Sequence, residues 1–276
     1  MSVFTDKWID EHKDELVEKL QQCVRINSVR DDGSTREGAP FGEGAAKCLE
    51  DTLNTAKEMG FEVKNLDGYC GTVDYGTGEE QLGILAHLDV VPEGEGWTYP
   101  PYAAEIHDGR LYGRGTMDDK GPAFAALFGL AAVKASGVET KRRVRLILGC
   151  DEECGMGCLH HYNEVEKAPD MCFSPDASYP LVNSEKMIYN SAYRKEYASA
   201  VRVKAGTVSN AVPGKAEVFV PVSADEVKAA VAKLNNADFT YNVSAADNGA
   251  NVVITGIAAH ASTPEQGKNA FLAAVQ

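Results

Sequence analysis

Four short stretches of this chain concentrate side chains that bind metals and move protons. GILAHLDVVPEGEGW carries His87 and Asp89, LYGRGTMDDKG carries Asp118, CDEECGMG carries Glu152 and Glu153, and FSPDASYP carries Asp176. In a strand, positions i and i+2 face one side, so His87 and Asp89 can point into one crevice. A neutral imidazole binds zinc, and a carboxylate on its other nitrogen fixes the tautomer and raises the basicity of the ring. Asp118 has two oxygens and can bridge two cations, in a turn that Gly113, Gly115 and Gly121 make tight. Glu152 and Glu153 are adjacent and diverge, so one can bind metal while the other faces a substrate as general base. Two such charges repel unless cations compensate. Taken singly, each has a plainer reading: a core histidine, a surface turn, an acidic helix start. Together they predict a site for two divalent ions. Cys150, Cys154 and Cys158 surround the glutamates, and a thiolate site is the alternative there.

The elements that must position these residues follow from the hydrophobic pattern. The runs LGILAH and VRLILGC are continuous and apolar, as in strands covered on both faces. A helix from about Pro122 to Ala135 separates them, which predicts a parallel βαβ unit. Glu152 and Glu153 then follow the carboxyl end of one strand and His87 closes the other, where open α/β sheets bind ligands. Upstream, helices are predicted from about Asp6 to Val24 and from Glu43 to Met59, the second stopped by Gly60. Short strands are predicted near Phe61–Val63 and Gly71–Tyr75. Met156 to Val165 reads as a helix and MCF, residues 171–173, as a strand. From about Tyr197 the order becomes β-β-α-β-β and a helix start, an α+β module. Ser223 with Glu226 forms a capping box before a helix to Leu234. The boundary is expected near Glu185, giving domains 1–185 and 186–276.

Composition narrows the function classes. The 276 residues are 44% apolar and 25% charged, ordinary for a soluble globular protein. A formal net charge of -14 argues against nucleic acid as a partner. The charged N-terminus is no signal peptide, and the longest apolar run, Ala123 to Val133, is too short to cross a bilayer. Seven cysteines without framework spacing read as free thiols in a cytoplasmic protein.

In combination these segments resemble the M20 family of zinc-dependent peptidases and deacylases. The forms GRGTMDDKGP and DASYP are most similar to its dipeptidase branch, which includes PepV-type dipeptidases and carnosinases. The resemblance implies an α/β fold, with a mostly parallel sheet and helices on both faces in the catalytic domain. It also implies a smaller α+β lid domain, incomplete here, through which family members form homodimers. His87 and Asp176 would hold one zinc, Asp118 would bridge, Glu153 would bind the second, and Asp89 would support His87. Glu152 would be the general base. A cis peptide would follow Asp118. In the second module His260, in AAHASTPEQG, matches the lid histidine that reaches the oxyanion, and Asn210, in SNAVPGKAE, matches a substrate-binding asparagine.

The implied reaction is hydrolysis of dipeptides or short peptides with Zn2+, or with Mn2+ or Co2+. N-acyl-amino-acid deacylation within the same family is the alternative, and a non-catalytic metal- or peptide-binding fragment is a third reading. The family also implies a late histidine on the second zinc and a carboxylate-binding arginine. Neither has a counterpart before Gln276, which predicts that the sequence is a fragment.

Overall fold

The computed structural model describes residues 3–276 except 95, 179–181, 185, 188, 190, 197 and 235. The chain divides into two compact units, residues 1–182 and 183–276.

Unit 1 opens with α1 (Val3–Val24), whose stripe of Trp8, Ile9, Leu16 and Leu20 packs on the core. Helix α2 (Glu43–Glu58) buries Ala45, Leu49, Leu53 and Ala56 on its core side. Gly60 ends it with φ 77°, a left-handed conformation that costs glycine nothing. Then come β1 (Glu62–Leu66), β2 (Cys70–Tyr75), β3 (Gln81–His87), β4 (Glu105–His107) and β5 (Arg110–Tyr112). Helix α3 (Lys120–Ala135), β6 (Arg143–Gly149), α4 (Gly157–Val165) and β7 (Met171–Phe173) complete the unit.

The five-stranded sheet has the order β1-β2-β6-β3-β7. β6 and β7 both run parallel to β3, so β3-α3-β6 is the expected parallel unit. β2 is antiparallel to β6 and β1 to β2, so only β2 opposes the common direction. A Cβ on Gly71 would strike Leu49 and Leu53 of α2, and one on Gly149 would strike Cys158 of α4. Gly71 pairs with Leu148, the residue before Gly149, so these two helices cover opposite faces. In the core, Arg145 of β6 donates to both oxygens of Asp74 at 2.8 and 3.0 Å and to Glu166 at 2.7 Å. That satisfies a charge that would otherwise be prohibitive to bury.

The β4–β5 hairpin is not among the expected strands. Its turn residues Asp108 and Gly109 both have positive φ, 50° and 71°, the geometry of a two-residue hairpin turn. Helix α3 begins two residues before Pro122, because proline fits the first helical turn, where its missing N–H is not needed.

Unit 2 contains β8 (Arg202–Ala205), β9 (Ala211–Val212), β10 (Lys215–Val220), α5 (Ala224–Val231), β11 (Thr240–Ala246), β12 (Gly249–Thr255), β13 (Ala259–His260) and α6 (Ala270–Ala274). Four of these strands form an antiparallel sheet in the order β11-β12-β10-β8. Val218, Val252, Ile254, Val227 and Ala273 form its core. The Ser223 capping box is present, and α5 stops at Val231, short of Leu234.

Candidate metal centre

Because β3 and β6 are parallel with His87 level with Gly149, their carboxyl ends lie together. The Leu88 N–H donates to the Gly149 carbonyl at 2.8 Å and holds the strands together one residue further. β7 ends beside them and leads to Asp176, while Asp118 arrives from the turn that starts α3. The peptide between Asp118 and Asp119 is cis.

These approaches converge on one imidazole nitrogen. His87 Nε2 lies 3.1 Å from Asp118 Oδ1, 3.3 Å from Asp176 Oδ2 and 3.8 Å from Glu152 Oε2. Two groups, His87–Glu152–Asp176 and His87–Asp118–Glu153, each bring one ligand atom per residue within 4.8 Å of the others. Such separations suit a cation about 2.0–2.2 Å from nitrogen and oxygen donors. Among the described residues neither group contains a cysteine. Burial pushes the Cys150 and Cys158 thiols up, away from the thiolate form that a metal needs.

The electrostatics agree with a place for a cation. Burial works against charge on His87, but Asp118, Asp176 and Asp89 outweigh it and raise its pKa. His87 in turn holds Asp118 below the usual carboxylate range. Burial and then the Asp118 charge push Glu153 up to about 7, and burial also raises Glu152. Carboxylates that resist ionisation beside one another are groups that a divalent ion would relieve.

Asp89 does more than the sequence predicts. His87 Nδ1 is 3.0 Å from the Asp89 carbonyl and 3.4 Å from its carboxylate. That carboxylate accepts from the backbone N–H groups of Glu152 and Glu153, both at 3.1 Å. One buried side chain therefore orients both glutamates. Three further residues of the site went unread. Asp119, fully buried, accepts from the His87 N–H at 2.9 Å. Lys120, equally buried, donates to the carbonyls of Cys23 and Ile26. Asp151 accepts from Arg30 at 2.9 Å and from the Gly157 N–H at 3.0 Å, closing the turn that presents the glutamates. The available signal was charge at the boundary of an apolar element, in MDDK before α3 and in CDEE after β6.

In unit 2, β9 and β13 pair, with His260 opposite Ala211, and the Asn210 carbonyl accepts from Ala261 N–H at 2.8 Å. Asn210 and His260, far apart in sequence, are thereby neighbours, and both are exposed. His260 Nδ1 accepts from the Ser262 N–H at 3.2 Å and lies 2.7 Å from the Ser262 hydroxyl oxygen.

Comparison with known proteins was made against this geometry. The profile of "Peptidase family M20/M25/M40" matches residues 83–263. The chain is 37% identical over 268 residues to "Putative dipeptidase YtjP" of Bacillus subtilis (strain 168), covering 94% of this chain and 58% of that protein. It is 36% identical over 276 residues to "Beta-Ala-Xaa dipeptidase" of Lactobacillus delbrueckii subsp. lactis, covering 95% of this chain and 58% of that protein. The chain thus spans 58% of the length of these relatives. Among solved structures, human carnosine dipeptidase 1 is similar with a TM-score of 0.50 and 26% identity, over 59% of this chain and 38% of that one. The M20 family metallo-carboxypeptidase Sso-CP2 of Sulfolobus solfataricus shares the fold, with a TM-score of 0.50 and 15% identity over 88% of this chain and 71% of that one.

Proposed function

The chain belongs to peptidase family M20/M25/M40, and we propose that it carries the centre of a metal-dependent dipeptidase, hydrolysing dipeptides or short peptides. The observation that carries this reading is the convergence of Asp118, Asp176 and Glu152 on His87 Nε2, with Glu153 in the second ligand group. A nitrogen and carboxylate donor set of this kind suits Zn2+ or Mn2+.

In this proposal residues 1–185 are the catalytic domain and residues 186–276 belong to a lid that also mediates homodimer formation. His87 and Asp176 would supply ligands to one ion, Glu153 to a second, and Asp118 to both. Bound divalent ions lower the pKa of water and polarise the scissile carbonyl. Glu152 would accept a proton from the attacking water and return it to the leaving amine. Its raised pKa moves it toward the range in which a base both takes and gives up a proton near neutrality. Asp89 keeps Glu152 and Glu153 in place through their backbone N–H groups. Asn210 and His260 bind substrate, His260 as a donor toward the oxyanion. The seven free cysteines fit a cytoplasmic setting.

The test is turnover of a dipeptide panel and an N-acyl-amino-acid panel by the Zn2+- or Mn2+-loaded protein. Dipeptides are turned over, and Glu152→Gln lowers kcat by about 10²–10⁴ with metal stoichiometry unchanged. Turnover of acylated substrates alone would make it a deacylase. Metal binding without turnover of either panel would make it a binding protein, and loss of metal in Glu152→Gln would overturn the base assignment.

A further inference from the structure

Lys120 is a buried cation to which the proposed reaction gives no task. Its side chain is fully buried, and among the described residues no carboxylate pairs with it. Its ammonium instead donates to the Cys23 carbonyl at 3.0 Å and the Ile26 carbonyl at 2.8 Å. These carbonyls lie where α1 ends, at the negative end of the helix dipole. A buried ammonium is expensive to desolvate and survives only with dedicated partners.

Its backbone position gives this anchor a consequence. Lys120 is the first residue of α3, directly after Asp119, which accepts from the His87 N–H, and two after Asp118, which contacts His87 Nε2. Its stem lies against Gly115, where a Cβ would meet Lys120 Cδ at 3.0 Å. The segment after α1 is also tied to the other ligand loop. Ser28 Oγ donates to the Leu88 carbonyl at 2.6 Å, and Val90 N–H donates to the Ser28 carbonyl at 3.4 Å.

We propose that Lys120 is a positioning residue that pins the Asp118–Asp119 turn to the carbonyl end of α1 and so holds Asp118 and Asp119 against His87. α1 and the residues after it then form a common brace behind both ligand loops, latched at Lys120 on one side and at Ser28 on the other. The metal consequence of this inference rests on the reading of His87 and Asp118 as ligands; the pin itself does not.

Lys120→Met removes the charge and keeps the volume. The substitution leaves the Cys23 and Ile26 carbonyls without their donor and so lowers overall stability, which is why positioning is read as a ratio of two exchange rates. In the metal-free protein, exchange of the His87 amide hydrogen accelerates at least about tenfold more than that of the Leu146 amide in β6. Titrated with Co2+, it binds about 10–100-fold more weakly than the parent, as loss of a supporting contact does at metal sites. An unchanged ratio of the two rates would overturn the inference whatever the metal does. A parent protein that takes up no Co2+ would defeat the metal-centre reading and leave the exchange measurement to decide the pin. Should Lys120→Met not fold, the parent still provides a test. An Nζ ammonium held by two carbonyls exchanges its protons far more slowly than surface lysines do, and exchange at the surface rate would overturn the proposal.

Discussion

In unit 1 the centre of the sheet is closed to water: β6 is buried from Arg145 to Gly149, and β3 ends on buried Ala86 and His87. In unit 2, β12 alternates between buried Ala250, Val252 and Ile254 and more open neighbours. His87 and Asp89 on one side, Asn210 and His260 on the other, follow the same division. His87 and Asp89 stand where buried strands emerge, each 2% exposed and fixed by hydrogen bonds to neighbouring loops. Asn210 and His260 sit on a two-strand pairing at the surface. A functional group can thus be fixed by a core or merely displayed by a turn. His87 and Asp89 are thus also structural, while the Asp118 side chain is 60% exposed. Asn210 and His260 can change with little effect on the fold.

The strongest way to break this comparison is to damage one core and watch the other. Phe124 is fully buried in α3. Phe124→Ala should destabilise unit 1 by about 3–5 kcal/mol. Both tryptophans, Trp8 and Trp97, lie in unit 1, so denaturant unfolding followed by tryptophan fluorescence reads that unit. Amide exchange in β12 reads unit 2 and should be unaffected; parallel loss of protection there would mean that the two units unfold as one.

A second test uses pH. Glu153, raised to about 7, and His87, also raised, hold protons more tightly in the folded state than in the unfolded chain. Their stabilisation is complete below their unfolded values and is lost as pH rises through the folded ones. Metal-free unit 1 should therefore weaken as pH rises from about 5 to about 8. In unit 2 the Ser223 hydroxyl and backbone N–H hold Glu226 below its ordinary value, which has the opposite sign. That contribution is present above the ordinary glutamate value and is lost only as pH falls through the lowered one. Saturating Zn2+ keeps these ligands deprotonated, so the fall with rising pH should vanish or reverse, and a fall that survives the metal would count against the ligand set.

The smallest effect sharpens the contrast from the other side. Ser223→Ala removes an exposed capping box and should lower the stability of unit 2 by about 1 kcal/mol, with the fluorescence transition of unit 1 unmoved.

The parts of this architecture that could be read from sequence are those fixed by local rules. Continuous apolar runs marked β3 and β6, and Ser223 with Glu226 marked the start of α5. His87, Glu152 and Glu153 stand out as an imidazole and carboxylates at the ends of such runs and Asp118 as a carboxylate in a glycine-flanked turn, whereas Asp176 carries no signal by itself and its ligand role is implied by the resemblance to the M20 family. The β4–β5 hairpin carried an Asp-Gly turn signal, but its strands are too short to show alternation. Asp119 and Lys120 lay inside a motif and were still missed, because their partners are backbone groups of His87, Cys23 and Ile26. A main-chain N–H or carbonyl has no letter in the sequence, so contacts of that kind become visible only in three dimensions.

The strand order of unit 1 also has a consequence for synthesis. β6 lies between β2 and β3, although both precede it in the chain. While the protein is being made, β2 has β1 on one side and an open edge on the other, and β3 has no neighbour in the sheet until later residues emerge. Only when Arg143–Gly149 clears the ribosome can one insertion join β2 to β3 and bring the His87 loop level with Gly149. Exposed strand edges invite pairing with other chains. The interval between translation of β3 and of β6 is therefore when a nascent chain is most open to aggregation; β6 covers the open edge of β2 and one edge of β3, β7 later covers the other, and the insertion of β6 aligns the strands that carry the candidate site.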